Sequence, residues 1–254
     1  MNTPTVIASR GKPVKVTLLN ANHCPGAIMF LFEVNNRKIL HVGDFRWNAG
    51  IMMQMPQLKA FSNSSPRLDE LFLDTTYCNK KYTLPTQEEA ISAAIKVADK
   101  EVATSKKVKN NKTLFLFGSY TIGKEKIYVS VAEHLKKKVY VDKRRYRILS
   151  SLEWPKKRMQ IFTTDKTETN LWVVPLGTVN FKQMQDHLEE SNKANSKKAL
   201  TAPYCRVVGF KPTGKYRIFL LLYTHVILSL FAHSLLSHPQ AGRTLAQEIR
   251  IKGH

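Results

Sequence analysis

The sequence predicts a layered α/β (α+β) protein, and three observations carry that prediction. Short β-branched and aromatic runs crowd residues 14–73. Apolar residues at helical spacing alternate with further short apolar runs between residues 86 and 210. With 254 residues, 43% of them hydrophobic, the chain has enough material to bury a real core.

Residues 1–12 are polar and suit an edge strand or loop, and Val14–Leu19 reads as a strand. Pro25 and Gly26 break the chain directly after His23, which puts that imidazole on a fixed loop. Ala27–Val34 reads as a buried strand, Asn35-Asn36 as a hairpin turn, and Ile39–Val42 as the return strand. Asp44 then stands just past a strand end. Residues 45–67 look irregular, with Met52, Met53 and Met55 as loop and core filler. Leu71–Leu73 repeats the earlier pattern, a short apolar strand ending in Asp74. A His on one loop and carboxylates at neighbouring strand ends are raw material for a metal site, although such residues are more often structural.

Helices and strands alternate from there. Thr86 and Glu89 form a capping-box pattern, and Ile91, Ala94, Ile95, Ala98 and Val102 draw a helical stripe. A strand at Thr113–Phe117 is followed by a helix over Lys124–Lys138, whose final lysines would suit the negative helix end. Further strands are expected at Val139–Val141, Leu171–Val174 and Arg206–Phe210, and helices near Arg145–Leu152 and Phe181–Glu190. Gly118–Lys124, GSYTIGK, is one hydroxyl short of a Walker A loop, since Glu125 stands in the Ser/Thr position. ATP use is therefore not expected. A glycine-containing turn opening a helix still suits an anion, with a plain strand-to-helix turn as the alternative.

The charge balance narrows the partners. Forty Lys and Arg against nineteen Asp and Glu leave a formal charge of +21, concentrated over Lys106–Arg158. A polyanion, nucleic acid before an anionic membrane, is the expected partner. Tyr128, Tyr140, Tyr146 and Trp154 lie near this run, as stacking platforms for single-stranded bases or as core. Three scattered cysteines, Cys24, Cys78 and Cys205, argue against a disulfide framework and for a reducing compartment. The basic clusters are compatible with nuclear import, and no secretory signal opens the chain. Ile218–Leu236 is apolar enough to raise a third reading, a tail-anchored membrane protein.

Several motifs in order then point to one family: ANHCPGA, ILHVGDFR, LFLDTTYC, GSYTIGKEKIYVSVAEHL, RILSSLEWP and RVVGFKPTG. Over roughly residues 14–214 the chain resembles the DNA cross-link repair nucleases, the β-CASP branch of the metallo-β-lactamase fold that includes the nitrogen-mustard-sensitivity and Artemis group. The resemblance implies a partial metallo-β-lactamase αββα sandwich over residues 1–80, a β-CASP insert over residues 81–212 and a divergent apolar tail over residues 213–254. It implies a zinc-dependent 5′-3′ DNA exonuclease of interstrand cross-link repair in the nucleus. Its partner would be DNA, single-stranded or damaged with a 5′ phosphate. His23 and Asp44 would be metal-binding, Asp44 and Asp74 catalytic, and Ser119, Tyr120 and Lys124 would contact DNA phosphate.

The pattern is incomplete. None of the eight His belongs to the family's HxHxDH cluster, no PYSEHSS-like segment follows, and Lys215 replaces the Trp expected after KPTG. The expectation is a chain truncated at both ends, whose residues 215–254 arise from read-through or alternative splicing. Catalytic zinc takes three protein ligands, so the expectation is also that this polypeptide alone has little nuclease activity. A non-catalytic DNA-binding pseudo-enzyme is the alternative.

Overall fold

A computed structural model describes residues 1–63, 65–80, 82, 84–107, 112–197, 203–213 and 216–224. The chain divides into two compact units, Met1–Tyr82 and the residues from 83 onward.

In the first unit, β1 (Pro4–Ser9), β2 (Lys12–Asn20), β3 (Ile28–Val34), β4 (Arg37–His41) and β5 (Glu70–Phe72) form one sheet in sequence order. The first four strands pair antiparallel and β5 joins β4 in parallel. Arg10-Gly11 and Asn35-Asn36 all have positive φ, the backbone that two-residue hairpin turns require. The strands are two-faced as their pleat demands. Leu19, Met29, Leu31, Leu40 and Val42 are buried together with Met52 and Met55. The opposite face carries Phe30 stacked on Phe32 at 5.8 Å and His41 stacked on Phe72 at 5.6 Å. The stretch read as irregular contains two short helices, α1 (Ala49–Met52) and α2 (Pro56–Lys59). Asn48 caps the first through its side-chain oxygen, and Pro56 opens the second, both common helix-start devices.

The second unit begins with α3 (Gln87–Lys107). Its capping box is complete: Glu89 N–H donates to Thr86 Oγ1 at 3.1 Å and Thr86 N–H to Glu89 Oε2 at 2.7 Å. There follow β6 (Lys112–Ser119), α4 (Glu125–Leu135), β7 (Val139–Tyr140), α5 (Lys143–Ser150), α6 (Lys156–Met159), β8 (Phe162–Thr163), β9 (Leu171–Pro175), α7 (Phe181–Lys197), β10 (Tyr204–Thr213) and β11 (Tyr216–Thr224). The strand order is β11-β10-β6-β9-β7-β8, with every pair parallel except β10–β11.

Alternation along these strands separates two cores. Phe115, Phe117, Leu171, Val173, Val208 and Phe210 pack with α3 and α4 on one face. Leu114, Leu116, Trp172, Val174 and Val207 pack with Val179 and α7 on the other. A parallel sheet covered on both faces is the arrangement its near-continuous apolar strands require.

One expectation changes here, and the structure bears on two readings left open. The helix after GSYTIGK stops at Leu135, because Lys136 takes the left-handed conformation at φ 53°. The lysines therefore follow the helix, and Lys137 and Lys138 reach Asn170 and Glu168 at 2.7 and 2.6 Å. Tyr128 is core, 1% exposed, and Tyr140 and Trp154 pack on Trp172 and Phe162, so the tertiary fold uses these rings for packing. The apolar run once open to a membrane reading is a β-strand over Tyr216–Thr224. No helix among the described residues is long and apolar enough to cross a bilayer. Residues 225–236 lie outside the described residues.

Candidate functional site

Sheet topology gathers the first unit's candidates at one edge. β2 and β4 run the same way, and β5 is parallel to β4. The loops after these three strands therefore emerge together, and they carry His23, Asp44 and Asp74. Two hydrogen bonds tie the first two loops: Arg46 N–H donates to Ala21 O at 2.9 Å, and Asn22 Nδ2 to Arg46 O at 3.3 Å. Val42 N–H donates to Phe72 O at 3.1 Å and holds the third alongside. Gly26 and Gly43 have φ of +83° and +55°, which lets the chain reverse within each loop without a Cβ clash.

His23 and Asp44 are exposed and Asp74 is half-buried. Asp74 closes a turn by accepting the Thr76 hydroxyl at 2.6 Å and the Thr76 amide at 2.9 Å. Those bonds hold its carboxyl below the usual range; partial burial opposes them and the nearby His23 charge assists. His41, on the same edge, accepts the Gly43 amide at Nδ1 (3.2 Å).

Among the described residues no three His, Cys, Asp or Glu side chains come together to hold an ion. The loops present an imidazole and two carboxylates at one rim, with one carboxylate already engaged by Thr76.

In the second unit, β6 delivers the GSYTIGK loop to the carboxyl edge of the parallel sheet. Ser119 is 2% exposed, and its hydroxyl donates to the carbonyls of Gly123 (2.8 Å) and Tyr120 (3.0 Å). The residue shapes the loop from within. Tyr120 is 61% exposed. Gly123 and Lys124 both have positive φ, 98° and 71°, a strained turn for lysine.

A carboxyl group does sit at this turn, and it belongs to the chain. Glu125, 7% exposed, accepts the Gly123 amide at 2.5 Å. Glu125 thus engages the amide of Gly123, one residue before the helix cap. Burial raises the Glu125 carboxyl above its ordinary range, against the backbone bonds and the charges of Arg145 and Lys124.

Arg145 is the residue the sequence reading missed. Lys143, Arg144 and Arg147 are exposed, but Arg145 is 7% exposed and donates from Nη2 to Tyr120 O at 2.8 Å. The signal was present: Arg145 precedes Leu149 by one helical turn, on the buried face of α5.

The comparisons agree with one another. Residues 156–219 match the family model described as DNA repair metallo-beta-lactamase. The chain is 37% identical over 215 residues to the DNA cross-link repair 1A protein of Mus musculus, covering 84% of this chain and 18% of that protein. It is 33% identical over 205 residues to the DNA cross-link repair protein pso2/snm1 of Schizosaccharomyces pombe, covering 79% of this chain and 33% of that protein. Against the 5′ exonuclease Apollo of Gallus gallus it is 32% identical over 171 residues, 67% of this chain and 33% of that protein. The chain therefore spans a third or less of each of these relatives. With a mixed α/β fold of two sheets and a metallo-β-lactamase-type match, the chain belongs to the DNA cross-link repair family.

Proposed function

We propose that this chain is a DNA-binding member of the cross-link repair nucleases that does not hydrolyse DNA by itself. One observation carries the reading: three strand-end loops bring His23, Asp44 and Asp74 to a single rim, where no three His, Cys, Asp or Glu side chains among the described residues group to hold an ion. In this reading the family metal is zinc, held through His23 and Asp44 once further donors join them, with Asp74 orienting the rim. Tyr120 and Lys124 meet the DNA backbone and Ser119 holds their loop in shape. The division into a metallo-β-lactamase part (1–80), a β-CASP part (81–212) and a tail (213–254) belongs to the same proposal. So does action in the nucleus, where the substrate is found. The charge of +21 favours binding of a polyanion.

The test uses the full chain with a fluorescent, 5′-phosphorylated single strand, with and without added zinc. The expected result is salt-dependent binding and no shortening of the strand on a denaturing gel. Absence of binding at low salt refutes the DNA reading. Robust digestion abolished by His23→Ala refutes the incomplete centre.

A further inference from the structure

The second unit holds a cavity of about 400 Å³ at the carboxyl edge of its sheet, lined by Ser119–Thr121, Asp142, Arg144, Arg145 and Pro175–Gly177. Its position follows from topology. After β6 the chain turns to α4, packed on one face; after β9 it turns to α7, packed on the other. Because β6 and β9 are neighbours, their loops part in opposite directions and leave a crevice between them. Open α/β sheets bind ligands at this kind of switch point.

The lining has the chemistry of a nucleotide site. Arg144 is exposed and brings a positive charge to the lining of the opening. Arg145 forms the floor with only Nη2 hydrogen-bonded; its Nε and Nη1 are buried without a hydrogen-bond partner, an expensive state for a guanidinium. Tyr120 presents an exposed ring at the rim. One acid faces the cavity, Asp142, and its carboxylate is engaged by the Arg145 amide at 2.8 Å as the cap of α5. Glu125 lies behind the loop and offsets part of the Arg145 charge. Across α5 a second, more open cleft is lined by Lys143, Tyr146, Arg147, Phe162, Thr163 and Thr164. The amino end of this helix is thus a basic ridge between two clefts.

We propose that the switch-point cavity takes one nucleotide unit, with its phosphate on Arg144 and Arg145 and its base stacked on Tyr120. This rests on the DNA-binding reading and adds a defined subsite to it. The chemistry is shared by a residue of a single strand and by a free mononucleotide; the second cleft beyond the ridge favours the strand.

The experiment titrates the full chain with a 12-residue oligothymidylate, with thymidine 5′-monophosphate and with inorganic phosphate. The variants are Tyr120→Ala and Arg144→Glu, both at exposed positions. Each is expected to weaken oligothymidylate binding about tenfold or more, in line with the loss of one stacked base. Arg144→Glu is also expected to lower the slope of log affinity against log salt by about 0.7, the value for one phosphate of a single strand. Unchanged affinity in both variants, with DNA still bound, overturns the subsite and leaves the DNA-binding reading standing. Monophosphate binding that is lost in both variants and displaced by the strand supports one shared site. A strand that binds only where monophosphate cannot compete overturns it.

Discussion

Gly118→Ala probes the packing that shapes the second unit's cavity. Gly118 is the penultimate residue of β6, and its backbone is in a region any residue adopts. A Cβ there would lie 2.9 Å from Val179 Cγ2, 3.0 Å from Leu176 Cδ1 and 3.3 Å from Phe210 O. Val179 is fully buried and β-branched, and the carbonyl belongs to β10, so only the Leu176 side chain can give way readily. Overpacking of this kind costs about 1–3 kcal/mol, partly offset by the roughly 0.4–1 kcal/mol that Gly→Ala removes from unfolded-chain entropy. The expected net loss is about 1–2 kcal/mol. With a urea m-value of about 2 kcal/mol/M, the unfolding midpoint should fall by about 0.5–1 M with m unchanged. Gly177→Ala is the control, since a Cβ there meets nothing within 4 Å. If the two variants unfold at the same urea concentration, the close approach of the 176–179 segment to β6 is wrong, and so is the cavity wall built from it.

Two further outcomes are expected. Burial raises the Glu125 carboxyl, so ionising it opposes folding: its cost is absent below the unfolded value of 4.5 and appears as pH rises through the folded value. Glu125→Gln keeps an acceptor for the Gly123 amide, so wild-type stability relative to the variant should fall as pH rises above 4.5. A wild-type-minus-variant difference that stays flat as pH rises above 4.5 would contradict the buried carboxylate. In the second unit, Arg206 Nη2 stands 2.7 Å from Glu101 Oε2, a side chain only 5% exposed, although that oxygen accepts no aligned hydrogen bond. Arg206→Leu should cost about 3–5 kcal/mol by stranding a buried charge, and the double variant with Glu101→Leu should recover much of it. Equal losses in the single and double variants, measured by urea unfolding, would rule out the pair.

Local patterns made much of the fold legible. Thr86 and Glu89 announced the start of α3 because a capping box is a contact between residues three apart. Asn35-Asn36 announced the first hairpin because that turn needs residues tolerant of positive φ. The apolar stripe of Ile91 to Val102 and the strand at Thr113–Phe117 were visible for the same reason. The expected strand at Val139–Val141 is β7, whereas β8, also two residues long, was missed, since its place is set by neighbours across the sheet. The basic run of α5 read as one charged patch, and only the helix's orientation separated buried Arg145 from exposed Arg144.

By itself the sequence determined that the chain alternates helix and strand, is strongly basic, and places His23, Asp44 and Asp74 after short apolar strands. Periodicity, charge and chain-breaking residues act over a few positions, so they can be read in one dimension. Tertiary structure alone decided that the three loops share an edge, because that depends on β5 running parallel to β4. It alone turned Ser119 inward and placed Glu125 on the Gly123 amide. It also put β6 beside β9, residues more than fifty positions apart, and so opened the cavity between them. Those outcomes follow from which strands pair and which faces are covered, and the energy of burial settles both over the whole chain at once.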